Sequence, residues 1–145
     1  LLFVGALYHW APKLFGRQLS AGAGGGVFLL LFGGFLALGL GDYLLGYSGA
    51  PNHVKDFGTG HDWSTYSQLA TVGGALLALG ALVLVVEIIR AVAGGGTGTA
   101  PDDPYEGLTL EWATSSPPPP HNFDAVPEVR SPYPLLDLRT AGGTD

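Results

Sequence analysis

The chain has 145 residues, of which 47% are hydrophobic and only 12% charged, and it carries a net charge of −6. That profile belongs to a chain whose solvent is partly lipid, and the negative balance, drawn largely from the last third, argues against a nucleic-acid partner. The absence of cysteine excludes disulfides and thiolate metal sites.

Residues 1–10 form a first apolar block, too short to cross a bilayer alone, which fits the exit end of a transmembrane helix. The chain contains no methionine and opens in mid-hydrophobic run, so the expectation is a fragment or a processed piece. Its start lacks the basic leader and small-residue cleavage site of a signal peptide. Residues 11–20 follow as a loop carrying Lys13 and Arg17. Residues 21–45 and 66–93 are predicted to be two complete transmembrane helices, because the stretches 21–41 and 63–86 hold no charge. About 20 residues suffice to cross a hydrocarbon core of roughly 30 Å. Tyr8, Trp10, Tyr43, Tyr47, Trp63 and Tyr66 edge the three blocks as headgroup-level anchors.

Residues 46–65 form the loop between the two spans, with Lys55 set against Asp56 and Asp62. Since Lys13 and Arg17 precede the first complete span and Arg90 ends the second, the positive-inside rule puts residues 11–20 and the tail in the cytoplasm. The 46–65 loop is then outside. Gly33, Ala37 and Gly41, and likewise Ala70, Gly74 and Ala78, recur at four-residue spacing. Such stripes let helices approach closely, although glycine and alanine are common in membrane helices anyway. Asp42 and Glu87 fall near helix ends, where a carboxylate is an ordinary boundary residue, and Glu87 is spaced to pair with Arg90.

After Arg90 the character changes. GGGTGTAPDDP is a linker by composition, Pro117–Pro120 favours polyproline II, and residues 94–145 carry no helical or strand period. The expectation is an extended, Pro-rich cytoplasmic tail without a core of its own. Leu108, Leu110, Trp112, Phe123, Leu135 and Leu136 nonetheless need something to cover them. A groove-binding PPPP ligand is the alternative to a strap lying on its own complex. The fold class is therefore an all-α membrane protein: two complete transmembrane helices, the end of a third, and the extended tail.

No nucleophile–base pair or pair of catalytic carboxylates can be assembled. The clusters Gly24–Gly26 and Gly94–Gly96 follow no strand and do not make a nucleotide loop. His61-Asp62 reads as solvated loop rather than a metal site, since two adjacent residues are not a ligand set.

The tail carries a resemblance. TLEWATSSPPPPHNF (109–123), followed by VPEVRSPYPLLDLR (126–139), resembles the cytoplasmic C-terminal tail of subunit I of the bacterial haem-copper (cytochrome c) oxidase family. HWAPKLFGRQLS (9–20) is similar to that family's loop between its tenth and eleventh helices, and residues 21–45 and 69–93 to the eleventh and twelfth. The resemblance implies a terminal respiratory oxidase that oxidises cytochrome c, reduces oxygen to water and translocates protons. It also implies haem and copper in the parent subunit, held by histidines on helices that precede this stretch. None of His9, His53, His61 and His121 matches those ligand positions, so the fragment's expected role is scaffold, with no haem or copper of its own.

One departure stands out. Where the family has Gly-Met-Pro-Arg-Arg, whose arginines pair with haem propionates, this chain has Gly49-Ala50-Pro51-Asn52-His53 with Lys55 nearby. Neither Lys nor His reproduces the bidentate guanidinium fork. His53 and Lys55 are candidate propionate-side residues, with an ordinary polar loop as the plain alternative and a diverged copy with an altered haem site as another. The implied partners are the rest of subunit I, other oxidase subunits, the lipid bilayer and cytochrome c, in the bacterial inner membrane. The contrasting functional class is a non-catalytic accessory or assembly membrane protein that docks on an oxidase.

Overall fold

The computed structural model describes residues 1–51, 56–57, 61–95 and 98–142. Four α-helices follow in order: α1 Leu2–Phe15, α2 Ala21–Tyr47, α3 Trp63–Val92 and α4 Pro134–Gly142, with a single 3-10 turn at Leu110–Ala113. Among the described residues there is no strand, only an isolated antiparallel bridge between Arg17 and Thr99.

Two helices have the length and composition to cross a membrane. α2 has 27 residues and α3 has 30, about 40 and 45 Å at 1.5 Å per residue, against a hydrocarbon core of roughly 30 Å. Both end in the same way. Gly49 (φ +72°) and Gly94 (φ +82°) take the left-handed conformation. Ala50 N–H then reaches back to Leu45 O at 3.0 Å, and Gly95 N–H to Arg90 O at 2.8 Å. These are Schellman closures, and a side chain at the left-handed position would strain each of them.

Residues 21–87 form one compact unit. Its seam is built from backbone approach. A Cβ on Gly34 would sit 2.8 Å from both Gly73 O and Leu77 N, and one on Gly41 would sit 2.6 Å from Ala70 N. Val27, Gly34 and Gly41 are buried on α2, and Gly73, Gly80 and Glu87 on α3, each set repeating every seven residues. The four-residue stripes are thus only partly the contact. Gly41 and Ala70 lie in it, whereas a Cβ on Gly33 or Gly74 would meet nothing within 4 Å. A four-residue step overshoots a full turn by about 40° and walks off the seam, while seven residues fall about 20° short of two turns and stay on it.

Residues 2–20 and 88–142 lie in the second compact unit. Ala11, Leu19 and Ala91 form its small core, with Tyr8 and Phe15 packed against them. α1 runs on to Phe15, through residues that the sequence pattern assigns to a loop. Pro12 is inside the helix and fully buried, and its carbonyl accepts the Gly16 N–H at 2.9 Å to close the last turn. The tail is likewise not uniformly extended. It contains the 3-10 turn and α4, which opens on Pro134, where a missing N–H costs nothing. Nor is it coreless within this unit: Trp112 is 4% exposed and Leu135 8%.

Candidate functional site

His53 and Lys55, the residues singled out from the sequence, lie outside the described residues. The described flank of that loop ends in a polar cavity of about 440 Å³ lined by Ser48, His61, Asp62, Trp63 and Tyr66. The His61 ring stacks on Trp63 at 4.0 Å, and Trp63 Nε1–H donates to the Ser48 carbonyl at 3.3 Å. The helix ends explain the placement: Ser48 sits in the closing turn of α2 and Trp63 opens α3. One imidazole and one carboxylate on an open surface provide hydrogen-bonding chemistry and little more.

The more elaborate constellation lies in the second unit, around Lys13. Its ammonium donates to Thr114 O at 2.6 Å, Asp102 O at 2.9 Å, and Thr114 Oγ1 and Ser115 O at 3.3 Å each. It also stands 5.4 Å from the centre of the Trp112 ring, within cation–π range. Burial lowers the Lys13 pKa from its ordinary value, while Asp102, Asp103 and Glu111 act in the opposite sense.

Beside the lysine, one turn back on α1, His9 stacks on Tyr105 at 4.9 Å and meets Trp112 edge-on at 5.1 Å. Tyr105 and Trp112 are themselves edge-to-face at 5.2 Å. Desolvation raises the Tyr105 pKa. The Trp112 indole covers Gly107 so closely that a Cβ there would lie 2.6 Å from the indole Cγ.

Further contacts pin the chain on either side. Ala100 N–H donates to Gly16 O at 2.9 Å, and Ser116 N–H donates to Asp102 Oδ1 at 3.0 Å. Asp103 accepts from Gly107 N–H at 2.9 Å and from the Arg139 guanidinium on α4. Burial pushes the Asp103 pKa up, yet the Gly107 and Tyr105 amides and Arg139 outweigh it and hold the carboxyl below its ordinary value.

Sequence pattern marks Trp112 as a side chain needing cover, and the cover is α1 and Gly107. It gives Lys13 only as an orienting charge. Its role as a hydrogen-bond hub has no local signature, since its acceptors are main-chain carbonyls about a hundred residues away.

The folded arrangement defines a helical membrane protein with two spanning helices and a tail strapped to the helix that precedes them. The family model described as "Cytochrome C and Quinol oxidase polypeptide I" matches residues 1–76. The chain belongs to that family. Cytochrome c oxidase subunit 1 of Corynebacterium efficiens is 35% identical over 133 residues, covering 91% of this chain and 23% of the relative. Cytochrome c oxidase subunit 1 of Bacillus sp. is 36% identical over 124 residues, 85% of this chain and 20% of the relative. Quinol oxidase subunit 1 of Bacillus subtilis is 33% identical over 138 residues, 94% of this chain and 21% of the relative. The chain therefore spans less than a quarter of the length of each of these relatives.

This family binds haem and copper, and the described residues present no cluster that could hold a metal ion. His9 is packed among aromatic rings, His61 lies against Trp63, and no three His, Asp or Glu side chains converge among the described residues. They offer no ligand set for a metal, and no redox step is assigned to them.

Proposed function

We propose that the chain is the C-terminal part of the catalytic subunit of a terminal respiratory oxidase, which oxidises cytochrome c, reduces oxygen to water and translocates protons. Haem and copper belong to the preceding part of that subunit, and the residues described here act as scaffold. Residues 1–10 end one membrane helix, 21–45 and 66–93 form two more, and the tail straps the cytoplasmic side. Lys13, Arg17 and Arg90 face the cytoplasm of a bacterial cell and residues 46–65 lie outside, as the positive-inside rule directs. His53 and Lys55 remain the propionate-side candidates. Partners are the rest of subunit I, other oxidase subunits, bilayer lipid and cytochrome c.

The observation that carries this reading is the extent of the similarity. The Corynebacterium match covers 91% of the chain, through both spans and on into the tail, whereas the family model stops at residue 76. An accessory protein produced by gene fission would match as widely, so the two are separated by the polypeptide that carries these residues. The Lys13 clasp agrees with the orientation, because its ammonium bonds tail carbonyls only if residues 11–20 and the tail share one side of the membrane.

The test is purification of the oxidase from native membranes, followed by peptide mapping of the haem-bearing polypeptide. Peptides from residues 99–139 on that polypeptide are expected. Their presence on a separate small chain would move the reading to an accessory or assembly protein, and their absence from the complex would end it. The quinol oxidase among the relatives gives a second reading of the electron donor. Oxygen uptake by the same preparation with reduced cytochrome c and with a quinol decides between them.

A further inference from the structure

We infer that the end of α1, with His9, Lys13 and Gly16, is a docking site for the tail as a peptide, one that still binds once the covalent linker is cut. The reason lies in which atoms are read. The Lys13 ammonium shares its three N–H donors among three main-chain carbonyls and the Thr114 hydroxyl, so it reads chiefly the curve of the 102–115 backbone. The side-chain anchor is Trp112, 4% exposed and seated against His9. A third point is steric: a Cβ on Gly16, itself at φ +66°, would meet Pro117 Cδ at 2.7 Å, so bare backbone is what lets the proline lie down there.

These three points span residues 102–117 of the tail. A fourth, the hydrogen bond from Ala100 N–H to Gly16 O, lies on the tail side of the glycine-rich linker. Trp112, Thr114 and Ser116 are 4%, 7% and 9% exposed, so alternate residues of the 112–116 stretch are turned inward while those between them face out. A charged donor facing several main-chain acceptors, with one deeply seated indole beside it, is the composition of a peptide interface with hot spots. The occupant is a Trp-Ala-Thr-Ser-Ser-Pro segment of this chain, and the linker supplies effective concentration rather than contacts. The inference is independent of which donor the oxidase uses, and of its catalysis.

The test uses the full chain in its native membrane complex, with a protease site inserted in the 94–98 linker. After cleavage and washing, the tail fragment is expected to stay with the membrane fraction. Lys13→Met and Trp112→Ala should each lower retention at least about tenfold, the first by removing a charged donor from the tail carbonyls and the second by removing the seated indole. Val126→Ala, at a tail position that is 95% exposed and outside the docked segment, should retain the tail as the parent does. The inference is overturned if the cut wild-type tail washes away, or if Lys13→Met and Trp112→Ala hold it equally well. Should either variant fail to reach the membrane, competition settles the matter: a synthetic 99–123 peptide must displace the cut wild-type tail, and the same peptide with Trp112→Ala must not.

Discussion

Substituting alanine at Gly34 and, separately, at Gly33 probes the α2–α3 seam at neighbouring positions with opposite surroundings. On Gly34 the new methyl would stand 2.8 Å from Gly73 O and Leu77 N, and both are backbone atoms of a helix that cannot rotate away as a side chain could. The helices must part. Overpacking of this kind costs about 1–3 kcal/mol. On Gly33 the methyl meets nothing within 4 Å. Replacing glycine by alanine in a helix gains up to about 1 kcal/mol in propensity, but that gain is common to both variants. Their difference therefore isolates the packing cost, about 1–3 kcal/mol against Gly34→Ala. Because the chain has no cysteine, single cysteines introduced at Leu29 and Leu82 can carry a fluorescent donor and acceptor. These sites are 69% and 60% exposed, so the labels leave the seam intact. Separation of the helices is then followed while detergent micelles are titrated with a denaturing detergent. Gly34→Ala should unfold well before Gly33→Ala. Coincident curves, or a less stable Gly33→Ala, would refute the seven-residue seam in favour of the four-residue stripe. Gly73→Ala and Gly74→Ala give the same contrast on α3, since a Cβ on Gly73 would run into Leu38 and Gly34 backbone and one on Gly74 would meet nothing.

Gly16→Ala forces an L side chain into φ +66° and against Pro117, so it should loosen the tail by roughly 1–3 kcal/mol, seen as faster proteolysis of residues 99–139. Tail protection should also depend on acid through Asp103. Its folded pKa lies below the ordinary carboxylate value, so its contribution is complete above about pH 4 and is lost as pH falls through the folded value. Protease protection measured from pH 7 downward should therefore hold through pH 5 and then fall, and Asp103→Asn should flatten that fall. Trp63→Phe keeps the ring against His61 but removes the donor to Ser48 O, and it should cost about 1 kcal/mol or less in the same micelle titration. A larger loss would mean that the indole N–H holds the loop end together.

Length and charge made the two spans legible, because a run of about 20 uncharged residues has few fates other than a membrane helix. Aromatic edges placed their ends to within a few residues. The seam was only half legible: glycine is so frequent on α2 that four-residue and seven-residue repeats coexist, and only the partner helix selects between them. Pro12 hid the end of α1, since proline normally argues against a helix interior. Here the Tyr8 carbonyl, four residues back, which the missing N–H would have bonded, faces the Tyr105 O–H from the tail at 3.5 Å. The short turns inside the tail were hidden for a related reason. Periodicity detects elements that bury one face repeatedly, whereas this tail buries single residues, Ala100, Trp112, Thr114, Ser116 and Leu135, at irregular intervals against a surface formed elsewhere in the chain. His53 and Lys55, the site read from the family motif, fall outside the described residues.

Lys13 joins the two levels. As a charge in the last turn of α1 it biases which side of a membrane that end of the helix occupies. As a donor it holds Asp102, Thr114 and Ser115 by their carbonyls. The two roles separate by substitution. Lys13→Arg preserves the charge, so the location of the 11–20 loop should not change. The planar guanidinium, however, suits paired oxygens of one acceptor rather than three carbonyls arranged around a point, so the tail should be cleaved faster. Lys13→Met removes both roles, and any change in topology should then depend on the remaining Arg17. A reporter fused after residue 142, together with tail proteolysis, reads both. If Lys13→Arg left the tail fully protected, the ammonium's shape would be irrelevant, and the clasp would reduce to a charge near an acidic segment.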